Sequence, residues 1–118
     1  MNNYSKISLS ENGRTELHDA LSLTSAEISV NSLPAGASVP FVHVHRQNEE
    51  IYAVLEGKGK AEIDGESIEI KAGDWVRIAP KAKRRFFAAD DEGIKYICIQ
   101  VKENSLGGYS MADAEIAQ

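Results

Sequence analysis

A chain of 118 residues has the length of one domain, which excludes a second catalytic domain, and its 42% hydrophobic and 26% charged composition is that of a chain folding around a core. A net charge of −5 argues against nucleic acid as a partner, because phosphate-backbone affinity rests on many Lys and Arg contacts. With no run of about 18 apolar residues there is no membrane-spanning helix to expect, and a lone cysteine, Cys98, with no apolar run after Met1, points to a cytoplasmic setting.

Residues 1–26 carry little periodicity and read as an N-terminal segment. From Glu27 to Leu33 apolar and polar residues alternate, which predicts a strand with Ile28, Val30 and Leu33 toward a core. Pro34-Ala35-Gly36 interrupts, and Val39 to His45 resumes an extended run that puts His43 and His45 on one face. After a polar turn at Arg46 to Glu49, the run Glu50 to Leu55 is apolar on both faces and reads as a central strand, closed by a turn at Glu56-Gly57-Lys58-Gly59. Lys60 to Ile70 alternates around Asp64-Gly65, a dipeptide suited to a two-residue hairpin turn. A turn at Lys71 to Asp74 leads into Trp75 to Pro80, a basic loop from Lys81 to Arg84, and a strand over Arg85 to Ala88. Ile94 to Val101, dense in β-branched residues, is the last strong strand. In the remaining segment, 102–118, Leu106 to Tyr109 reads as a linker and Ser110-Met111-Ala112-Asp113 as the cap of a short helix. Strands of this number and spacing predict one all-β domain, a sandwich or barrel whose small-molecule site lies in its mouth or interior.

His43 and His45 are about 6.5 Å apart along a strand and point the same way, so both imidazoles can reach one ion at ~2.0–2.1 Å. The chain returns after His45 with Glu49 and Glu50, and one of these carboxylates can complete a His2Glu set of the kind that holds non-haem iron or zinc. The spacing alone favours a solvated, hydrogen-bonded face.

The order Gly36, His43, His45, Glu50, Gly57 resembles the first motif of the cupin superfamily, with one extra residue between Gly36 and His43. The runs Leu33 to Ala37 and Glu49 to Gly57, and Gly73-Asp74 followed by Ile78-Ala79-Pro80, are similar to that family as well, so the resemblance covers residues 27–101. It implies a single-domain jelly-roll β-barrel in which His43, His45 and Glu50, rather than Glu49, hold a divalent metal ion (Zn, Ni, Mn or Fe), and it implies a homodimer, for which the Ile51, Ala53, Leu55 face is apolar enough to need covering. The second family motif, Pro-x-Gly-x-x-His, is replaced by Pro80-Lys81-Ala82-Lys83-Arg84-Arg85, which puts Arg85 at the fourth ligand position. A guanidinium has no lone pair to offer an ion. Arg85 then has three readings: outward in a solvated basic loop, inward and paired with Glu50, or facing a substrate carboxylate or phosphate. Tyr52, on the Glu50 face, and Tyr96 and Gln100, which share a face with Cys98, are further candidates for contacting a small-molecule ligand. His18 reads as a surface residue and Cys98 as a buried one.

Three functions fit these residues. One is a metal-dependent enzyme of oxygenase, isomerase or lyase type acting on a small anionic molecule. Another is a metal-free ligand-binding or sensing module with Arg85 and Glu50 in its pocket. The third is a metal-independent isomerase with His43 or His45 as general base and Tyr52 as its proton-donating partner.

Overall fold

The computed structural model describes residues 3–10, 13–110 and 112–117. Its strands are β1 (Arg14–Glu16), β2 (Glu27–Leu33), β3 (Asn48–Ile63), β4 (Glu66–Lys71), β5 (Trp75–Ile78), β6 (Arg84–Ala88) and β7 (Ile94–Lys102), all paired antiparallel. No helix forms among the described residues. The helix anticipated at Ser110 to Asp113 is absent from the described part, with Met111 lying outside the described residues.

β3 organises the barrel. Its first half, Glu50 to Ala53, is flanked by β5 and β7, and its second half, Lys58 to Ile63, is flanked by β4 and β6. A register shift between Val54 and Glu56 bends the strand from one sheet into the other, as an extra residue in an antiparallel ladder does. The turn expected at Glu56 to Gly59 is therefore not a turn: the strand runs on through it for 16 residues. β2 extends the first sheet beyond β7, and β1, which the unpatterned N-terminal region concealed, pairs along β2. The two sheets close on Tyr52, Phe86 and Tyr96, whose rings lie 4.2, 5.2 and 5.9 Å apart by centroid pair, giving a small jelly-roll barrel.

The Asp64-Gly65 hairpin forms as expected, with φ of 50° and 83° at the two turn residues and Ile63 opposite Glu66. The Lys71 to Asp74 turn is closed by its own aspartate, since the Asp74 carboxylate accepts from Lys71 N at 2.9 Å. Val39 to His45, read as a strand, instead runs alongside β6 touching it at isolated bridges, Ser38 with Phe87 and His43 with Arg84.

Leu33 packs against the core as the alternation predicts, but Ile28 and Val30 face the opposite way from that reading. Ser29 and Asn31 are the residues turned inward, 3% and 5% exposed, while Ile28 and Val30 look out. The inward pair is satisfied by hydrogen bonding, Asn31 Nδ2 to Ser29 Oγ at 2.9 Å and Arg14 Nη1 to Asn31 Oδ1 at 2.7 Å. Burial of polar side chains is tolerable on those terms, and it makes this wall of the interior polar.

Candidate metal and ligand site

The site is assembled from two stretches of chain. The segment carrying His43 and His45 is pinned to the start of β6 by paired bonds, His43 N to Arg84 O at 3.1 Å and Arg84 N to His43 O at 3.0 Å, and by Lys81 N donating to His45 O at 2.8 Å. Glu50 comes from β3, between Ile78 of β5 and Gln100 of β7, and its side chain points into the barrel with 4% of the residue exposed.

His45 Nε2 lies 3.1 Å from Glu50 Oε2 and His43 Nε2 lies 3.5 Å from Glu50 Oε1. The three ligand atoms all fall within 4.8 Å of one another. An ion bound at ~2.0–2.1 Å separates its donors by roughly 3.0–3.4 Å, so little movement is needed for the three to share one. The donor set of two imidazoles and one carboxylate fits a divalent transition ion.

Glu50 is held from its other side. Its Oε1 accepts from Tyr52 Oη and from Arg84 Nη1, both at 2.6 Å, and its Oε2 accepts from Cys98 Sγ at 3.2 Å. Burial alone would push the carboxyl upward, but the hydrogen bonds from Tyr52, Arg84 and Cys98 and the nearby His45 outweigh it and hold the group at about 2. Burial pushes the Cys98 thiol up to about 12 and the Tyr52 hydroxyl well above its ordinary value, so both remain donors to the carboxylate. Burial also lowers His43, outweighing the pull of Glu50, which keeps an imidazole lone pair available at neutral pH.

The arginine paired with Glu50 is Arg84, not Arg85. Arg84 is 0% exposed, and beyond Glu50 it donates from Nε to Ala82 O at 3.0 Å and from Nη2 to Ala79 O at 2.7 Å. The backbone explains the shift by one residue. Lys81 has φ of 73°, the left-handed conformation that favours glycine, so Lys81 stands at the glycine of Pro-x-Gly-x-x-His and the histidine slot three residues later is Arg84. Arg84 therefore does not belong to a solvated basic loop. Arg85 instead donates from Nε to Val39 O at 2.8 Å and from Nη2 to Ser38 Oγ at 3.0 Å, with its guanidinium 4.9 Å from the centre of the Phe87 ring.

A cavity of about 610 Å³ opens onto this cluster, and Arg85, Tyr52, Tyr96 and Gln100 all stand on its wall with His43, His45 and Glu50. Tyr52 is committed to Glu50, and Gln100 accepts from Asn48 Nδ2 at 2.7 Å. Tyr96, pushed up to about 12 by burial, is a neutral phenol stacked on Phe86. Val39, Phe41, Val44 and Phe86 supply apolar wall. His18 takes no part; it is exposed and bonded to Asp19 at 2.8 Å.

Sequence reasoning missed Arg84 as a site residue and Ser29 and Asn31 as cavity lining. The signal for the latter pair was the alternation of β2 itself, which puts Glu27, Ser29 and Asn31 on one face, the face that lines the cavity.

Comparison with known proteins agrees with this architecture. Residues 30–100 match the family described as the cupin domain. A crystal structure of a cupin protein from Bacteroides fragilis is 58% identical and superimposes over 100% of both chains with a TM-score of 0.97. A predicted oxalate decarboxylase from Thermotoga maritima, at 23% identity, shares the fold over 75% of this chain and 78% of its own with a TM-score of 0.67. An uncharacterised protein of Methanocaldococcus jannaschii is 34% identical over 86 residues, 73% of this chain and 64% of that one, so the match spans less than two-thirds of the relative.

Proposed function

The chain belongs to the cupin family, and from that premise we propose that it binds a divalent metal ion through His43, His45 and Glu50 and takes a small anionic molecule into the cavity beside it. The observation that carries the reading is the convergence of two imidazole nitrogens on one carboxylate, at 3.1 and 3.5 Å, at the wall of a cavity of about 610 Å³. A bound ion of this kind, Zn, Ni, Mn or Fe, supplies a Lewis acid or a site for dioxygen, the chemistry of oxygenase, isomerase and lyase reactions. The chain's own residues do the rest. Tyr52 and Arg84 orient the carboxylate, Val39, Phe41 and Phe86 give the cavity an apolar wall, and Arg85, fixed through Nε and Nη2, offers its remaining Nη1 edge to an anion.

Metal content tests this reading. After incubation with zinc and desalting, plasma mass spectrometry is expected to find close to one ion per chain in the wild type and a large loss in His45→Ala. Equal, negligible metal in both proteins would remove the metal from the reading. A second reading, a metal-free ligand-binding module, is favoured by one observation: both Glu50 oxygens already accept hydrogen bonds inside the protein. Under it, a chelator leaves the melting temperature where it was.

The partner we assign is a second copy of the chain. In the first sheet Ile28, Ile99 and Ile51 stand directly opposite one another, as do Val30, Ile97 and Ala53, and they alternate with the inward Ser29, Cys98 and Tyr52. Ala53 is buried, but the other members of this outward apolar row are partly exposed and lead to Trp75, which is 70% exposed, and an apolar patch of that kind marks an interaction surface. Light scattering is expected to return twice the chain mass, and Ile99→Glu to return the monomer. The reading carries a cytoplasmic setting, which suits a single buried thiol.

A further inference from the structure

The polar cluster at the base of the cavity is electrically balanced before any ion enters it. Glu50 contributes one negative charge and Arg84 one positive charge, Tyr52 and Cys98 contribute none, and an imidazole that ligates an ion does so through the lone pair of its neutral form. Arg84 is also immobile. Its guanidinium is spent on Glu50 Oε1, Ala79 O and Ala82 O, and with 0% exposure it has no solvent to turn toward. A divalent ion at His43, His45 and Glu50 thus meets a carboxylate whose charge is already matched by a buried cation 2.6 Å from one of its oxygens. The ion brings two positive charges, and the other charged residues of the cavity wall, Arg14, Arg85 and Glu27, carry no net negative charge to offset them, so in a low-dielectric interior that excess is costly.

The group that can offset it has to come from outside and has to carry negative charge. The cavity fits such a visitor, with Arg85 on one side and Val39, Phe41, Val44 and Phe86 as apolar wall. An organic carboxylate with an apolar body satisfies both features.

Resting on the metal-binding reading above, we propose that metal ion and organic carboxylate bind this barrel as a linked pair, and that Arg84, standing where the family's fourth metal-binding histidine would be, is the residue that imposes the linkage. Each ligand raises the affinity for the other by the same factor, as linkage requires. Replacing Arg84 by a neutral side chain leaves Glu50 free to offset the ion, so metal binding tightens and its dependence on the anion falls.

The experiment measures the zinc dissociation constant of the full chain by competition with a chromophoric chelator, alone, with phenylacetate, and with phenylacetamide, which has the same body without the charge. Phenylacetate is expected to tighten zinc binding by about tenfold or more and phenylacetamide by less than about twofold, within the usual span of coupling between sites. Arg84→Gln is expected to bind zinc alone about tenfold more tightly than the wild type and to lose most of the phenylacetate effect. Calorimetry of phenylacetate binding with and without zinc must return the same factor in the wild type, and this reciprocal measurement decides the linkage even if Arg84→Gln does not fold. A wild-type zinc constant unmoved by phenylacetate overturns the linkage and leaves the metal site standing. Zinc binding by Arg84→Gln that is unchanged or weaker overturns the role of Arg84. A wild type that takes up no zinc under any of the three conditions overturns the metal reading, and the linkage with it.

Discussion

Arg84→Ala is expected to destabilise the metal-free protein by about 3–5 kcal/mol, the usual cost of removing one partner from a buried ion pair. Arg84 is 0% and Glu50 4% exposed, so truncation leaves a carboxylate in the interior with hydrogen-bond partners in Tyr52, Cys98 and His45 but without the guanidinium that matches its charge. It also removes the guanidinium bond to Ala82 O and leaves Ala79 O with only the longer bond from Ala82 N at 3.4 Å. For a domain of this size the corresponding fall in melting temperature is about 10–20 °C, read by circular dichroism in the presence of chelator. The sign of the pH dependence follows from Glu50, whose carboxyl is held at about 2 in the folded protein against an ordinary 4.5. Its contribution to wild-type stability is complete above 4.5 and is lost as pH falls through about 2, so the deficit of the variant shrinks on acidification. Arg84→Met combined with Glu50→Leu removes both charges and is expected to recover most of the loss, because a buried ion pair replaced by well-packed apolar groups is often neutral or stabilising. A single variant as stable as the wild type would mean that Glu50 is solvated in solution and not locked by Arg84.

What was legible in the sequence is what rests on local chemistry. The β2 boundaries, the Asp64-Gly65 hairpin and the final strand follow from alternation and turn residues within a few positions of each other. His43 and His45 were legible for the same reason, since one short loop brings the histidine segment back to β3 beside Glu49 and Glu50, whereas the choice of Glu50 between the two came from the resemblance to the cupin family. The elements that were not legible depend on partners distant in the chain. Glu56 to Gly59 has the composition of a turn, yet the ladders to β7, β4 and β6 keep it within the strand. The faces of β2 were reversed because its isoleucine and valine look outward while the barrel interior is furnished with Ser29 and Asn31. The one-residue error between Arg84 and Arg85 has a single origin. A lysine took the left-handed position at residue 81 that a glycine would have marked, and only the backbone torsion reveals where the motif's register lies.

Gly57→Ala is expected to be among the most damaging single-methyl additions in this chain, and Gly65→Ala isolates why. Both glycines sit at positive φ, 77° and 83°, where an alanine pays a conformational cost of roughly 1–2 kcal/mol. At Gly65 nothing lies within 4 Å of the added carbon, so that cost is the whole effect. At Gly57 the new Cβ would fall 1.8 Å from Gly93 O and 2.8 Å from the Gly93 carbonyl carbon, both backbone atoms that cannot rotate aside. The neighbouring chain is placed there by pairing: Gly57 is opposite Ile94 in the β3–β7 ladder, and Lys58 N donates to Gly93 O at 3.3 Å. Relief requires parting β3 from the start of β7 just past the bulge that carries β3 from one sheet to the other, so the loss should exceed that of Gly65→Ala by about 2 kcal/mol or more. Denaturant melts of the two variants measured side by side supply the difference directly. Because Glu50 and Cys98 meet across those same two strands, Gly57→Ala is also expected to loosen the carboxylate and reduce zinc retention, whereas Gly65→Ala, at the tip of the β3–β4 hairpin, leaves zinc retention unchanged. Equal destabilisation of the two variants would show that the strands part at little cost, and that the bend of β3 does not fix the site.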